Sequence, residues 1–151
     1  MRMRFAAGGV AVGMAACAAV LGGCSTASRS YMAEIRGGRW SEPVSIVMPN
    51  ADTTGLYDLR IAMRHDGSPV GTTVTMTVRT VGPDSLWFEE PLTMTVGDDG
   101  RSRSSQHEAS CIYRQRVRLA HEGDYRIIIT PAQAVGGVSA VGADMTPSDK
   151  E

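Results

Sequence analysis

Hydrophobic and polar positions alternate with a period of two along most of the chain after Pro43. Val44, Ile46 and Met48 alternate with Ser45 and Val47, and Leu59, Ile61 and Met63 alternate with Asp58, Arg60, Ala62 and Arg64. Successive side chains of a strand point to opposite faces, so each run predicts a half-buried β-strand. The clearest run is Thr72 to Val81, with Val74, Met76 and Val78 on one face and Thr73, Thr75, Thr77 and Arg79 on the other. Its β-branched residues suit a pleated surface. Trp87 to Val96 continues the pattern, but Pro91 has no N–H for a ladder and predicts an edge or a bulge. Gly97-Asp98-Asp99-Gly100 breaks that run, and Arg101 to Ala109 reads as a polar loop.

Alternation resumes from Ser110 to Leu119, where Cys111, Tyr113, Val117 and Leu119 stand opposite Arg114, Arg116 and Arg118. This places Cys111 on the core-facing side. After the turn His121 to Asp124, Tyr125, Ile127 and Ile129 form a strand that Pro131 stops, and a last strand runs from about Val135 to Met145. In Gly123-Asp124-Tyr125 the glycine permits the turn, while the tyrosine buries its ring and sends its hydroxyl to backbone. Tyr31 to Trp40 is open between a short amphipathic turn and an extended lead-in, since Gly37 and Gly38 disfavour a long helix. Seven or so strands without a convincing helix indicate an all-β, antiparallel β-sandwich, Ig-like or jelly-roll-like.

The first 23 residues follow another rule. Arg2 and Arg4 precede an uncharged Ala/Gly/Val-rich stretch from Phe5 to Val20, which is a secretory signal layout. Leu21-Gly22-Gly23-Cys24 closes it and resembles the lipobox of bacterial lipoproteins: Gly22 and Gly23 let the backbone lie extended in a peptidase cleft, and the Cys24 thiol accepts a diacylglyceryl group. Cleavage between Gly23 and Cys24 is the expectation; an uncleaved membrane helix, for which the stretch is nearly long enough, is the alternative.

Residues 24–30 then form a lipidated tether reaching roughly 20 Å, residues 31–146 one domain and residues 147–151 a disordered tail. Loss of Arg2 and Arg4 from 15 basic residues, against 16 acidic ones, leaves a 128-residue chain with a net charge of −3. That charge gives no reason to expect nucleic acid. Cys17 leaves with the leader and Cys24 is acylated, so Cys111 has no partner for an internal disulfide.

Candidate chemistry is sparse. His65-Asp66, His107-Glu108 and His121-Glu122 invite a metal reading, yet neighbours on a strand face opposite ways and cannot both ligate. Solvated turns explain them better. Serines between Ser102 and Ser110 lie near His107 with no Gly-x-Ser-x-Gly elbow, so no catalytic residue, metal or cofactor beyond the lipid on Cys24 is expected. Arg114, Arg116 and Arg118 form a basic row that Arg60, Arg64 or Arg126 would extend if their strands are neighbours. It reads either as a patch for an acidic partner or anionic headgroups, or as a solvated face protecting the sheet. Trp87 and Phe88 are the one adjacent aromatic pair that could stack on a sugar.

Trp40, the strand Leu59 to His65 ending in Arg-His, Gly123-Asp124-Tyr125, and Gly137-Val138-Ser139-Ala140-Val141-Gly142 stand in an order that resembles the gliding motility lipoprotein GldH family of Bacteroidota, over nearly the whole mature chain. Two loops depart from it: Asp66 to Gly71 lacks the aromatic and asparagine-containing stretch, and Arg101 to Ala109 lacks the tryptophan and glycines. The resemblance implies a non-enzymatic envelope lipoprotein that meets protein partners of the gliding and type IX secretion machinery. The alternative is a lipid-anchored periplasmic ligand- or carbohydrate-binding sandwich. Acidic residues after the acylated cysteine accompany surface export in this group, whereas here Ser25-Thr26-Ala27-Ser28-Arg29 follows. The expected location is the outer membrane, lipid-anchored, on its periplasmic face.

Overall fold

Two four-stranded antiparallel sheets take up the alternating runs. The structure is a computed structural model and describes residues 27–98 and 105–148. In chain order the strands are β1 (Arg29–Glu34), β2 (Arg39–Trp40), β3 (Val44–Asn50), β4 (Tyr57–His65), β5 (Thr73–Val81), β6 (Trp87–Thr95), β7 (His107–Val117), β8 (Gly123–Pro131), β9 (Val135–Gly136) and β10 (Val138–Pro147). One sheet has the order β1-β10-β4-β7, the other β3-β8-β5-β6, and β2 pairs with β9 as a short ribbon. A 3₁₀ turn, Arg36–Gly38, lies between β1 and β2.

The order has a simple origin. Followed outward from the β5–β6 turn, the chain is one long hairpin in which β5 pairs β6, β4 pairs β7, β3 pairs β8 and β1 pairs β10. Wrapping that ribbon brings β10 beside β4 and β5 beside β8, which divides it into two layers. This is the jelly-roll arrangement of two Greek keys. Between the layers, Ile61, Met63, Met76, Val78, Met94, Ile127, Ile129 and Met145 are fully buried and Trp40 is 1% exposed. Among the described residues five buried methionines, with Met48 among them, let flexible thioethers fill a core that holds few aromatic rings.

The sandwich has two distinct ends. At the near end lie the start of β1, residues 51–56 joining β3 to β4, the β5–β6 turn 82–86, the β7–β8 connection 118–122 and the end of β10. At the far end lie residues 35–43, the β4–β5 loop 66–72 and the β8–β10 connection 132–137. Pro91 sits in β6, an edge strand, as its missing N–H requires.

Several boundaries differ from the expectation. β1 begins at Arg29 because Arg29 and Ser30 pair with Met145 and Asp144, so the last two residues assigned to the tether belong to the sheet. Pro147 and Ser148, assigned to the frayed tail, are held: Pro147 stands opposite Tyr57, Ser148 N–H donates to the Leu56 carbonyl at 2.9 Å, and its hydroxyl donates to Asp58. His107 to Ala109, read as loop, opens β7. The signal peptide 1–23, the cleavage site Gly23, Cys24 and residues 99–104 and 149–151 lie outside the described residues.

Candidate functional site

A groove of about 490 Å³ opens at the far end, lined by Ser68 and Pro69 of the β4–β5 loop, by 72–75 and by 132–136. Turn chemistry builds its first wall. Gly67 (φ 95°) and Gly71 (φ 81°) take left-handed conformations that glycine adopts without strain. Asp66 Oδ1 accepts from Ser68 N–H at 2.9 Å, and the Thr72 hydroxyl donates to the Pro69 carbonyl at 2.6 Å. The two walls are tied at Asp66, whose N–H donates to the Gly137 carbonyl at 2.9 Å, and at Ala132, whose N–H donates to the Thr75 carbonyl at 2.9 Å. Hydrogen bonds from the Ser68 hydroxyl and backbone N–H hold the Asp66 carboxyl below its ordinary range.

The lining offers hydroxyls, the Gln133 amide and backbone groups, with no charged side chain. Such a surface can donate and accept hydrogen bonds to a neutral polar ligand but supplies no nucleophile activated by a base.

His65 and His107 stand opposite each other beside this end, their rings stacked with centroids 5.5 Å apart and planes 17° apart. His65 is 1% exposed, and its Nδ1 accepts from Gly67 N–H at 3.1 Å. This corrects the solvated-turn reading for His65: it closes the core end of β4. His121, at the near end, is exposed, with Nε2 3.4 Å from Asp84. Among the described residues no three His, Cys, Asp or Glu side chains converge on one point.

The basic row does not form. Tyr57 pairs with Val117, Leu59 with Arg114 and Arg60 with Ile112, so β7 carries extra residues at two places and its alternation is reset each time. Arg114 reaches across to the other sheet, with Nη2 2.7 Å from Glu90 Oε1 and its guanidinium over Phe88. Arg116 is left-handed (φ 52°), and its N–H donates to Asp58 at 2.8 Å. Arg118 lies beyond the strand. Arg60 and Arg64 are on the neighbouring β4, but face Ile112 and Glu108, and Arg126 is in the other sheet.

Cys111 is half-buried and packs against the core, as expected, and burial pushes its thiol up from the ordinary value. Trp87 and Phe88 are 60% and 46% exposed. Being consecutive in β6 they diverge: Trp87 lies under Arg79 of β5, Phe88 under Arg114 of β7, so the pair makes no single platform for a sugar ring. The groove itself carries residue types that sequence chemistry does not single out; the glycines that bend its walls are the one signal for it. Leu86, 73% exposed, lies in the turn just before β6, where hydrophobic alternation carries no signal.

The chain matches no protein-family model, no curated protein and no solved structure.

Proposed function

We propose that this protein is a non-catalytic, lipid-anchored β-sandwich of the bacterial envelope that works as a structural and interaction component of a gliding and type IX secretion machine. The family part of this reading rests on the ordered resemblance to GldH. The observation that carries the anchoring part is the start of β1 at Arg29, five residues after Cys24, at the near end of the sandwich. Acyl chains on Cys24 then hold that end at the lipid, and the groove at the far end is presented away from it. Two acyl chains suffice for stable anchoring.

Cys24→Ser tests the anchor: the variant is expected in the aqueous phase on detergent partitioning, and a variant that partitions like the wild type refutes it. Affinity purification of the lipidated protein from envelope membranes tests the assembly role, with gliding and secretion components expected among the partners. Recovery without any of them, under conditions that retain the lipid anchor, counts against it.

A second reading, a ligand-binding sandwich, is favoured by the uncharged groove. Neutral oligosaccharides that raise the melting temperature of the wild type, and fail to do so for Thr73→Arg, would support it.

A further inference from the structure

We infer that the turn carrying Leu86 and Trp87 docks the near end of the sandwich on a lipid bilayer, with both side chains inserted at the membrane interface. The inference rests on the anchoring reading above.

Among the described residues the exposed large apolar side chains are Val47 (44%), Phe88 (46%), Ile112 (48%), Trp87 (60%) and Leu86 (73%). The two most exposed are adjacent, on one turn. That turn is rigid: Gly82 N–H donates to the Leu86 carbonyl at 2.9 Å, Ser85 N–H to the Gly82 carbonyl at 3.0 Å, and Leu86 N–H to Asp84 Oδ1 at 3.1 Å. Ser85 is held at φ 66°, a conformation that costs a non-glycine residue and persists only where the surroundings impose it. A rigid turn that presents leucine and tryptophan to solvent marks an interaction surface.

Position selects the occupant. Trp87 stands opposite Val81 at the near end, the end at which β1 begins. Five residues from Cys24 to Arg29 span at most about 18 Å, and a four-stranded sandwich is only about 14 Å wide and 10 Å between sheets. β1 and β6 are the diagonal edges of the two sheets, about 17 Å apart across the near end, so a cysteine held at the lipid lets that end lie flat on the surface with Leu86 and Trp87 in contact. Tryptophan concentrates at membrane interfaces, where its ring sits in the acyl boundary and its N–H among the headgroups. The Arg79 guanidinium, 4.6 Å from the Trp87 ring centre, is placed to lie at headgroup depth.

The two arginines beside the exposed rings are each paired, Arg79 with Glu89 at 2.7 Å and Arg114 with Glu90 at 2.7 Å, and Asp84 within the turn faces His121 at 3.4 Å, so no cluster of unpaired cations calls for anionic lipid and the attraction is apolar. A second copy of the chain fits the surface poorly. Two side chains fall far short of the roughly 800 Å² per partner of a stable protein interface, and Pro91 interrupts β6 as a pairing edge.

The test uses the lipidated full-length chain in phosphatidylcholine vesicles whose acyl chains are brominated. Trp40, 1% exposed in the core, is out of reach of bromine and serves as an internal reference. With one of two tryptophans at the interface, about half of the emission is expected to be quenched, with little change at high salt. Leu86→Asp is expected to remain vesicle-bound through its lipid and to lose at least two-thirds of the quenching. Vesicle-bound wild type without quenching overturns the docking and leaves the anchor standing. A blue shift that grows with protein density, without bromine quenching, assigns the turn to a second copy and overturns it as well. Failure to float with the vesicles overturns the anchor itself, and the docking with it.

Discussion

Asp52 gathers four hydrogen bonds, from Thr54 N–H and hydroxyl, Gly55 N–H and the Tyr57 hydroxyl, all between 2.8 and 3.0 Å. They hold its carboxyl far below the ordinary value, and the same bond raises the Tyr57 hydroxyl. Asp58 is depressed too, first by the Ser148 hydroxyl and then by Arg116 N–H. A carboxylate whose folded value is depressed contributes stability that is present above its unfolded value, here 3.8, and is lost as pH falls through the folded value. Urea midpoints of the wild type are therefore expected to fall steadily below about pH 4, and those of Asp52→Asn to fall less. Equal acid limbs would show that Asp52 contributes nothing through its charge.

Cys111 gives a second expectation at this scale. Facing the core and protonated at neutral pH, it should react with a thiol reagent far more slowly in the native than in the unfolded protein, and Cys111→Ser should cost about 1 kcal/mol. Rapid native labelling would turn the start of β7 inside out, since a slip of one residue exchanges its faces.

At the scale of elements, β10 is the strand on which both halves of the roll meet, with β1 on one side and β4 on the other. Gly142 sits at its middle, where a Cβ would run into the Tyr31 carbonyl and Met32 Cα of β1. Because those neighbours are backbone, Gly142→Ala is expected to destabilise by about 1–3 kcal/mol in urea unfolding. Gly136→Ala, with nothing within 4 Å, should stay within about 0.5 kcal/mol. A neutral Gly142→Ala would mean that β1 gives way freely.

The same elements show what was legible. Strands β3, β5 and β8 bury one face against one core, and β4 does so except at Ala62, which is buried on the other face, so hydrophobicity alone traces them, and the role predicted for Tyr125 is met by its hydroxyl, which accepts from His121 N–H at 3.1 Å. β1 was ambiguous because as an edge strand its residues are mostly half-buried, which erases alternation. The basic row failed because alternation says nothing about a bulge, which depends on the partner strand. The far-end groove was illegible for a chemical reason: threonine, serine and alanine line sheets and loops everywhere, and their convergence is a property of tertiary structure.

On the scale of the whole molecule, the proposed lipid anchor makes location a question of leaflet. Only residues 25–28 separate Cys24 from β1, and they contain no acid. The first acid, Glu34, is paired with Ala140 in the sheet, at the far-end terminus of β1, and is not part of a free segment beside the lipid. No acidic residue therefore stands between Cys24 and β1. The expected place is the inner leaflet of the outer membrane. Under the proposed anchoring the near end would rest on lipid there, and a domain of net charge −3 would turn its far-end groove toward the periplasm. Protease added to intact cells should leave the protein whole, and the same protease after permeabilisation of the outer membrane should degrade it. Loss of the protein from intact cells would put the domain on the cell surface, and co-fractionation with inner-membrane markers would put it on the other side of the periplasm. Either result would reverse or relocate the surface on which the Leu86–Trp87 turn rests, while leaving the order of near end, sandwich and far-end groove along the tether unchanged.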